Sequence, residues 1–232
     1  MPPQPLSRVR PLAKVFASPE AIQRRPRLAP YIAEVIARWA DIEANVGSIL
    51  AFLLAAEAGP TIAMLQAVRS ASAQMDMIEA AGKIKLIDPE LEMFEAVVRL
   101  ARSSARKRNN VAHHIWAYCD EMPEALLLIE PVAYLDIFVA VSEANRNPKF
   151  ETLNQSRFEP DNSRILVYRE SDFTEIIEEL KSIARRTTFL INYLHLENPG
   201  RDRMYSLLWN EPLIPSAVKA IRKNRASIPE PE

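Results

Sequence analysis

The chain is poor in the residues that build the commonest nucleotide sites. Its 232 residues include four glycines, Gly47, Gly59, Gly82 and Gly200, too far apart to assemble a phosphate-cradling loop or a dinucleotide fingerprint. That excludes the familiar nucleotide-hydrolase and dehydrogenase patterns. A single cysteine, Cys119, leaves no internal disulfide, which suits a reducing compartment, and it reads as a small apolar residue rather than a nucleophile. Long hydrophobic runs are also missing. The most apolar stretch, "VGSILAFLLAA" from Val46 to Ala56, is flanked by Glu43 and Glu57 and falls short of the roughly 20 residues that cross a bilayer. The opening "MPPQPLSRVRPLAK" has proline and charge where a secretory signal needs an apolar core. A cytoplasmic location with no membrane association is therefore expected. Excess charge of one sign is absent as well: 29 Lys and Arg against 30 Asp and Glu give a net charge of -1, so any anionic partner must be met by a local basic patch.

What is present is helical periodicity. Residues 1–26 form a basic, proline-rich arm, read as loosely ordered, with one turn of helix after Ser18-Pro19, where serine caps and proline takes the first helical position. A helical domain is expected over 27–200, and a C-terminal extension over 201–232 with a short helix near "RMYSLLWN" and an unstructured "SIPEPE" end. Trp39, Ile42, Val46, Ile49, Leu50 and Leu53 define a first helix from about Pro30, and Ile62, Leu65, Val68, Met75 and Ile78 a second after Gly59-Pro60. Asp88-Pro89-Glu90 opens a third, read as running through Tyr118. A last long helix starts near Asp172-x-x-Glu175, a capping-box pattern. Residues 124–130 and 163–168 read as short strands able to pair as a hairpin, with a helix between them and a polar surface loop over 145–162. The expected fold class is all-α: a four-helix bundle with a small appended β-hairpin and extra helices.

The third helix carries the most informative run, "ARKRNNVAHHIWAY", 105–118. At about 100° per residue, Phe94, Val97, Ala101, Ala105, Ala112 and Ile115 share one face, and Arg108 falls on that stripe. A buried arginine costs several kcal/mol unless it is paired or opens onto a solvated interface. Asn109 and His113 are one turn apart and point the other way, in line with Arg99, Arg102 and Arg106. From Arg99 to Tyr118 there is no acid until Asp120, so the ridge favours an anion such as phosphate. The plain alternative is a basic helix end that complements the helix dipole. A metal site is not expected, because His113 and His114 diverge as helix neighbours and the remaining histidine is His195; no cofactor is implied.

The order Arg108-Asn109-Asn110-Val111-Ala112-His113 resembles the signature of HEPN domains, whose bacterial form reads R-N-x-x-A-H followed by glycine, often with an aromatic nearby. Arg108, Asn109, Ala112, His113 and Trp116 match; His114 stands at the glycine position. Trp39-x-x-Ile42-Glu43 on the first helix and "ESDFTEII" opening the last are also similar to bacterial HEPN proteins, and the likeness spans about residues 30–197. It implies a HEPN-like bundle, a homodimer, and metal-independent RNA cleavage at the dimer interface, as in a toxin or phage-defence effector with a separate antitoxin or regulator. Within that reading Arg108, Asn109 and His113 are catalytic: Arg108 clamps phosphate, and Asn109 orients His113 or binds a phosphate oxygen. Arg102, Arg106, Lys107, His114 and Trp116 would contact substrate, and Glu43 would hold Arg108. The alternative is a non-catalytic HEPN module that binds RNA, a nucleotide or a protein.

Overall fold

The computed structural model describes residues 3–146 and 161–227. Of these, 71% are helical, in nine α-helices accompanied by a five-stranded antiparallel sheet. The mostly helical expectation holds, but the sheet is larger than a hairpin. The chain divides into two compact units, Met1–Ile36 with Lys107–Ile177 and Ala37–Arg106 with Glu178–Glu232, so the units do not meet at residues 26 and 200. Three helices, α2 (Ala29–Leu54), α5 (Glu90–His113) and α7 (Glu170–His195), contribute residues to both. Among the described residues no single helix is long and apolar enough to cross a membrane; the one pair that qualifies jointly is bent by 117°.

The first unit is built on the sheet, in the order β1-β5-β4-β3-β2. Its strands are β1 (Gln4–Pro5), β2 (Phe16–Ala17), β3 (Ile115–Tyr118), β4 (Leu126–Ile129) and β5 (Ile165–Tyr168). The expected strands β4 and β5 do pair, with Leu127 opposite Val167, though the chain between them passes through α6 (Pro131–Arg146). Three strands depart from expectation. The segment read as the end of the third helix is β3, because α5 stops at His113 and Ile-Trp-Ala-Tyr is rich in β-branched and aromatic residues that favour a pleated surface. The arm is not loose: it supplies both edges, β1 against β5 and β2 against β3. Pro5 is tolerated there because an edge strand can forgo one donor. Between those edges comes the short helix α1 (Leu6–Val9), and after β2 comes the expected turn following Ser18, a 3-10 helix (Pro19–Ile22) capped by the Ser18 hydroxyl at 3.1 Å from Glu20 N.

One face of the sheet, with Ala117, Leu127, Ile129, Ile165 and Val167, closes a core with Leu6, Cys119 and Ala133. Burial pushes the Cys119 thiol up, so it is a poor nucleophile at neutral pH. Arg25, buried beside the same turn, donates from Nε to Ala125 O (2.8 Å), from Nη2 to Cys119 O (2.6 Å) and Met122 O (3.2 Å), and from Nη1 to Arg24 O (2.9 Å). The polar loop expected over 145–162 lies largely outside the described residues, as does most of the "SIPEPE" end.

The second unit is all helical. Trp39, Ile42, Ile49, Leu50 and Leu53 of α2 are buried, as are Phe94, Val97 and Ala101 of α5 and Leu180, Ile183 and Leu190 of α7. The expected second helix is broken into α3 (Ala58–Ala67) and α4 (Ala71–Lys85), the latter capped by the Ser70 hydroxyl. Capping departs from the sequence reading elsewhere as well. With α5 starting at Glu90, Asp88 lies one residue before the cap position and takes Arg225 Nη1 at 2.8 and 2.9 Å. In the first unit α7 starts two residues before Asp172, whose carboxylate reaches back to Arg169 N at 2.7 Å, the return half of a capping box. The C-terminal extension holds α8 (Gly200–Trp209) and α9 (Ile214–Ala226). Ion pairs fix them: Arg222 to Glu92, Arg225 to Glu95, Arg201 to Glu90, and Arg185 with the buried Arg186 to Glu211.

Two backbone positions yield stability predictions. The end of α2 is a Schellman turn, with Ala56 N donating to Ala51 O and Ala55 N to Phe52 O; Ala55, at φ 50°, stands where glycine is usual. Ala55→Gly should raise the urea midpoint by the equivalent of about 1 kcal/mol as the left-handed strain is relieved. At Gly82, by contrast, a Cβ would lie 2.2 Å from Phe94 Cε1. Gly82→Ala should therefore lower the thermal midpoint: overpacking costs about 1–3 kcal/mol against a helix-propensity gain near 1.

Candidate functional site

The end of α5, residues 107–113, is tied to β3 through Val111. Trp116 Nε1 donates to Val111 O at 3.1 Å, and Val111 is fully buried. Asn110 and Tyr168 line a common cavity, and Tyr168 packs on Phe173 of α7 with ring centroids 5.4 Å apart. Burial pushes the Tyr168 phenol up, against the opposing effect of Asn110. These anchors set the orientation of the rest. With about 100° per residue, Arg108 lies about 60° from Val111, while Asn109 and His113 lie about 160° away and about 40° from each other. The buried stripe runs through Ala101, Ser104 and Val111, one register before the Ala105 and Ala112 read from sequence, with Arg108 between Ser104 and Val111.

Arg108 is half-buried, and its Nη1 donates to Asn109 Oδ1 at 3.1 Å. Asn109 is thus engaged with the arginine. His113, the last residue of α5, is exposed. His114 lies in the bend between α5 and β3, with its backbone N–H donating to Asn110 O at 3.1 Å. Its Nδ1 is buried without a hydrogen-bond partner. Together with Ala17, Ser18, Trp116 and Tyr134 it lines a cavity of about 320 Å³. Lys107 and Asn110 line another, of about 240 Å³, with Asp172 and Glu175.

The remaining site residues lie in the helical unit. Arg102 is occupied by Asp76 (2.6 Å) and Glu79 (2.8 Å) of α4, so it adds little charge to the ridge. Arg99 and Arg106 are exposed. Glu43 accepts from Trp39 Nε1 at 2.5 Å within α2, a local bond that its expected role toward Arg108 did not anticipate. Among the described residues no group of three His, Cys, Asp or Glu side chains is placed to hold a metal ion.

Sequence reasoning did not single out Asn110, Tyr168 or Arg25. The first two could have been suspected from an amide inside the motif and an aromatic ending a predicted strand; Arg25 carries no local signal, since its carbonyl partners come from residues 119–125. Comparison with family models, with curated proteins and with solved structures finds no match.

The His114 ring is held below its ordinary pKa of 6.5, chiefly by burial and also by His113, with Glu130 opposing. A base whose folded pKa is lowered binds fewer protons than the unfolded chain, so stability is full above about pH 6.5 and falls as the pH drops below it. Urea unfolding at pH 7.5 and pH 5.0 should show that loss reduced in His114→Gln; an equal loss in both proteins would remove His114 as its source.

Proposed function

We propose that the chain is a HEPN-type endoribonuclease that cuts RNA without a metal, at a site composed from two copies of the chain. The observation that carries this reading is the arrangement at the end of α5: a half-buried Arg108 bonded to Asn109, followed by the exposed His113. Cleavage by a ribose 2′-hydroxyl needs a base, an acid, and positive charge on the phosphorane-like transition state. On one helix Arg108 and His113 are about 140° apart, so a single copy does not direct both at one phosphate. A two-fold axis would supply two histidines and two arginines. Histidine suits both proton roles because its ordinary pKa lies near neutrality. Arg108 clamps phosphate with its planar fork, and Asn109 fixes the arginine. Lys107 and Arg106 extend the cationic surface, and Trp116, whose indole is tied to Val111, offers an apolar wall. Such an enzyme fits a toxin or phage-defence role, restrained by an antitoxin or regulatory protein, in the cytoplasm.

A second reading, a non-catalytic HEPN module that binds RNA, a nucleotide or a protein, is favoured by His114, an imidazole where the motif has glycine. Assays on single-stranded RNA in EDTA separate the two. The ribonuclease reading expects products ending in a cyclic phosphate, with loss of about 100-fold or more in His113→Ala and Arg108→Ala while circular dichroism and thermal midpoint are retained. Undiminished cleavage by His113→Ala would remove its role; RNA binding without turnover in the wild type would select the second reading.

A further inference from the structure

In the first unit, the segment after the 3-10 helix and the start of α7 enclose a cavity of about 590 Å³ lined by Arg24, Arg25, Arg27 and Arg169, with Glu124, Glu170 and Ser171. Its size is that of pockets for small organic ligands. Four arginines face two glutamates there, and both acids are engaged: Glu170 accepts from the Tyr31 hydroxyl at 2.7 Å, and Glu124 lies 3.8 Å from Arg169. Arg24, Arg25 and Arg27 make no ion pair among the described residues. Arg24 and Arg25 instead sit 5.6 and 5.7 Å from the centroid of the Tyr118 ring.

Arg25 is the second and independent observation. It is 7% exposed, and four of its five N–H groups are held by backbone carbonyls. A guanidinium buried this deeply normally keeps a carboxylate. Here carbonyl dipoles fix its position but leave its charge unneutralised, next to two exposed arginines that are also without an anion. The first amides of α7, at Glu170 and Ser171, add the partial positive charge of a helix start, offset in part by the Glu170 carboxylate.

We propose that this cleft is a binding site for a phosphate monoester or diphosphate group, as carried by a free nucleotide or by the 5′ end of an RNA. Arg24, Arg27 and Arg169 supply the bidentate contacts, and Arg25 is the fixed charge behind them. The site is separate from the Arg108–His113 helix end and does not depend on the ribonuclease reading.

Calorimetric titration of the full chain with inorganic pyrophosphate tests it, with sulfate as the control anion. Pyrophosphate should bind at least tenfold more tightly than sulfate. Both Arg24→Gln/Arg27→Gln and Arg169→Gln should weaken it tenfold or more. The first pair is exposed, so its thermal midpoint should hold. Parallel titrations with ADP and with 5′-phosphorylated against 5′-hydroxyl RNA identify the source: tighter binding of ADP than of pyrophosphate marks a free nucleotide, and dependence on the RNA 5′ phosphate marks an RNA end. Equal affinity for pyrophosphate and sulfate, or unchanged pyrophosphate affinity in the double variant, overturns the proposal.

Discussion

The clamp between the sheet and the last turns of α5 is the constraint from which the rest of the site follows. The hydrogen bond from the indole of Trp116 to the carbonyl of Val111 makes it, with Asn110 and Tyr168 lining one cavity beside it. Val111 occupies an unspecified position of the R-N-x-x-A-H pattern, so a residue that the motif leaves free is the one that attaches it to the fold. Helix geometry then fixes everything else. Arg108 is turned toward the buried flank, and Asn109 and His113 toward the opposite side. The same clamp explains why the helix ends at His113, since β3 must begin at Ile115 to place Trp116 opposite Leu128 in the sheet.

A net charge of -1 conceals how differently the arginines are employed. In the helical unit they are spent on carboxylates: Arg102, Arg185, Arg186, Arg201, Arg222 and Arg225 all have acidic partners. Several of these pairs are partly exposed, where solvent screening leaves each worth little and geometry matters more than energy. In the sheet-bearing unit the pattern is mixed: Arg164 pairs with Glu130 and Asp136, and Arg169 lies 3.8 Å from Glu124. Arg25 is held by carbonyls and Arg108 by a neighbouring amide oxygen.

The long helices were legible because their buried residues recur at three- and four-residue spacing over many turns, as in α2 from Trp39 to Leu53. Strands β4 and β5 were legible as apolar runs between polar flanks. Strand β3 was not, because Ile115, Trp116 and Tyr118 continue an apolar helix pattern as readily as they start a pleated one, and only pairing with β4 decides between them. Two-residue strands such as β1 and β2 carry no period at all. Helix α9 had a signal in Ile214, Val218 and Ile221, all buried, but what secures it is a set of acids more than 120 residues earlier in the chain. The candidate site was legible as a set of residue types; its orientation was not, since that depends on the Trp116 indole of β3 reaching the Val111 carbonyl.

Strands β1 and β2 stand at opposite ends of the strand order although only ten residues separate them. Their partners, Val167 and Tyr118, come far later in the sequence. During synthesis β2 can pair once Tyr118 has been made, but β1 must wait longer, because until Val167 has been made β5 is not there to pair. The β4 edge of the growing sheet stays open to other chains in that interval, the condition in which unpaired strand edges associate wrongly. The opening residues act as a belt fastened after the body is assembled.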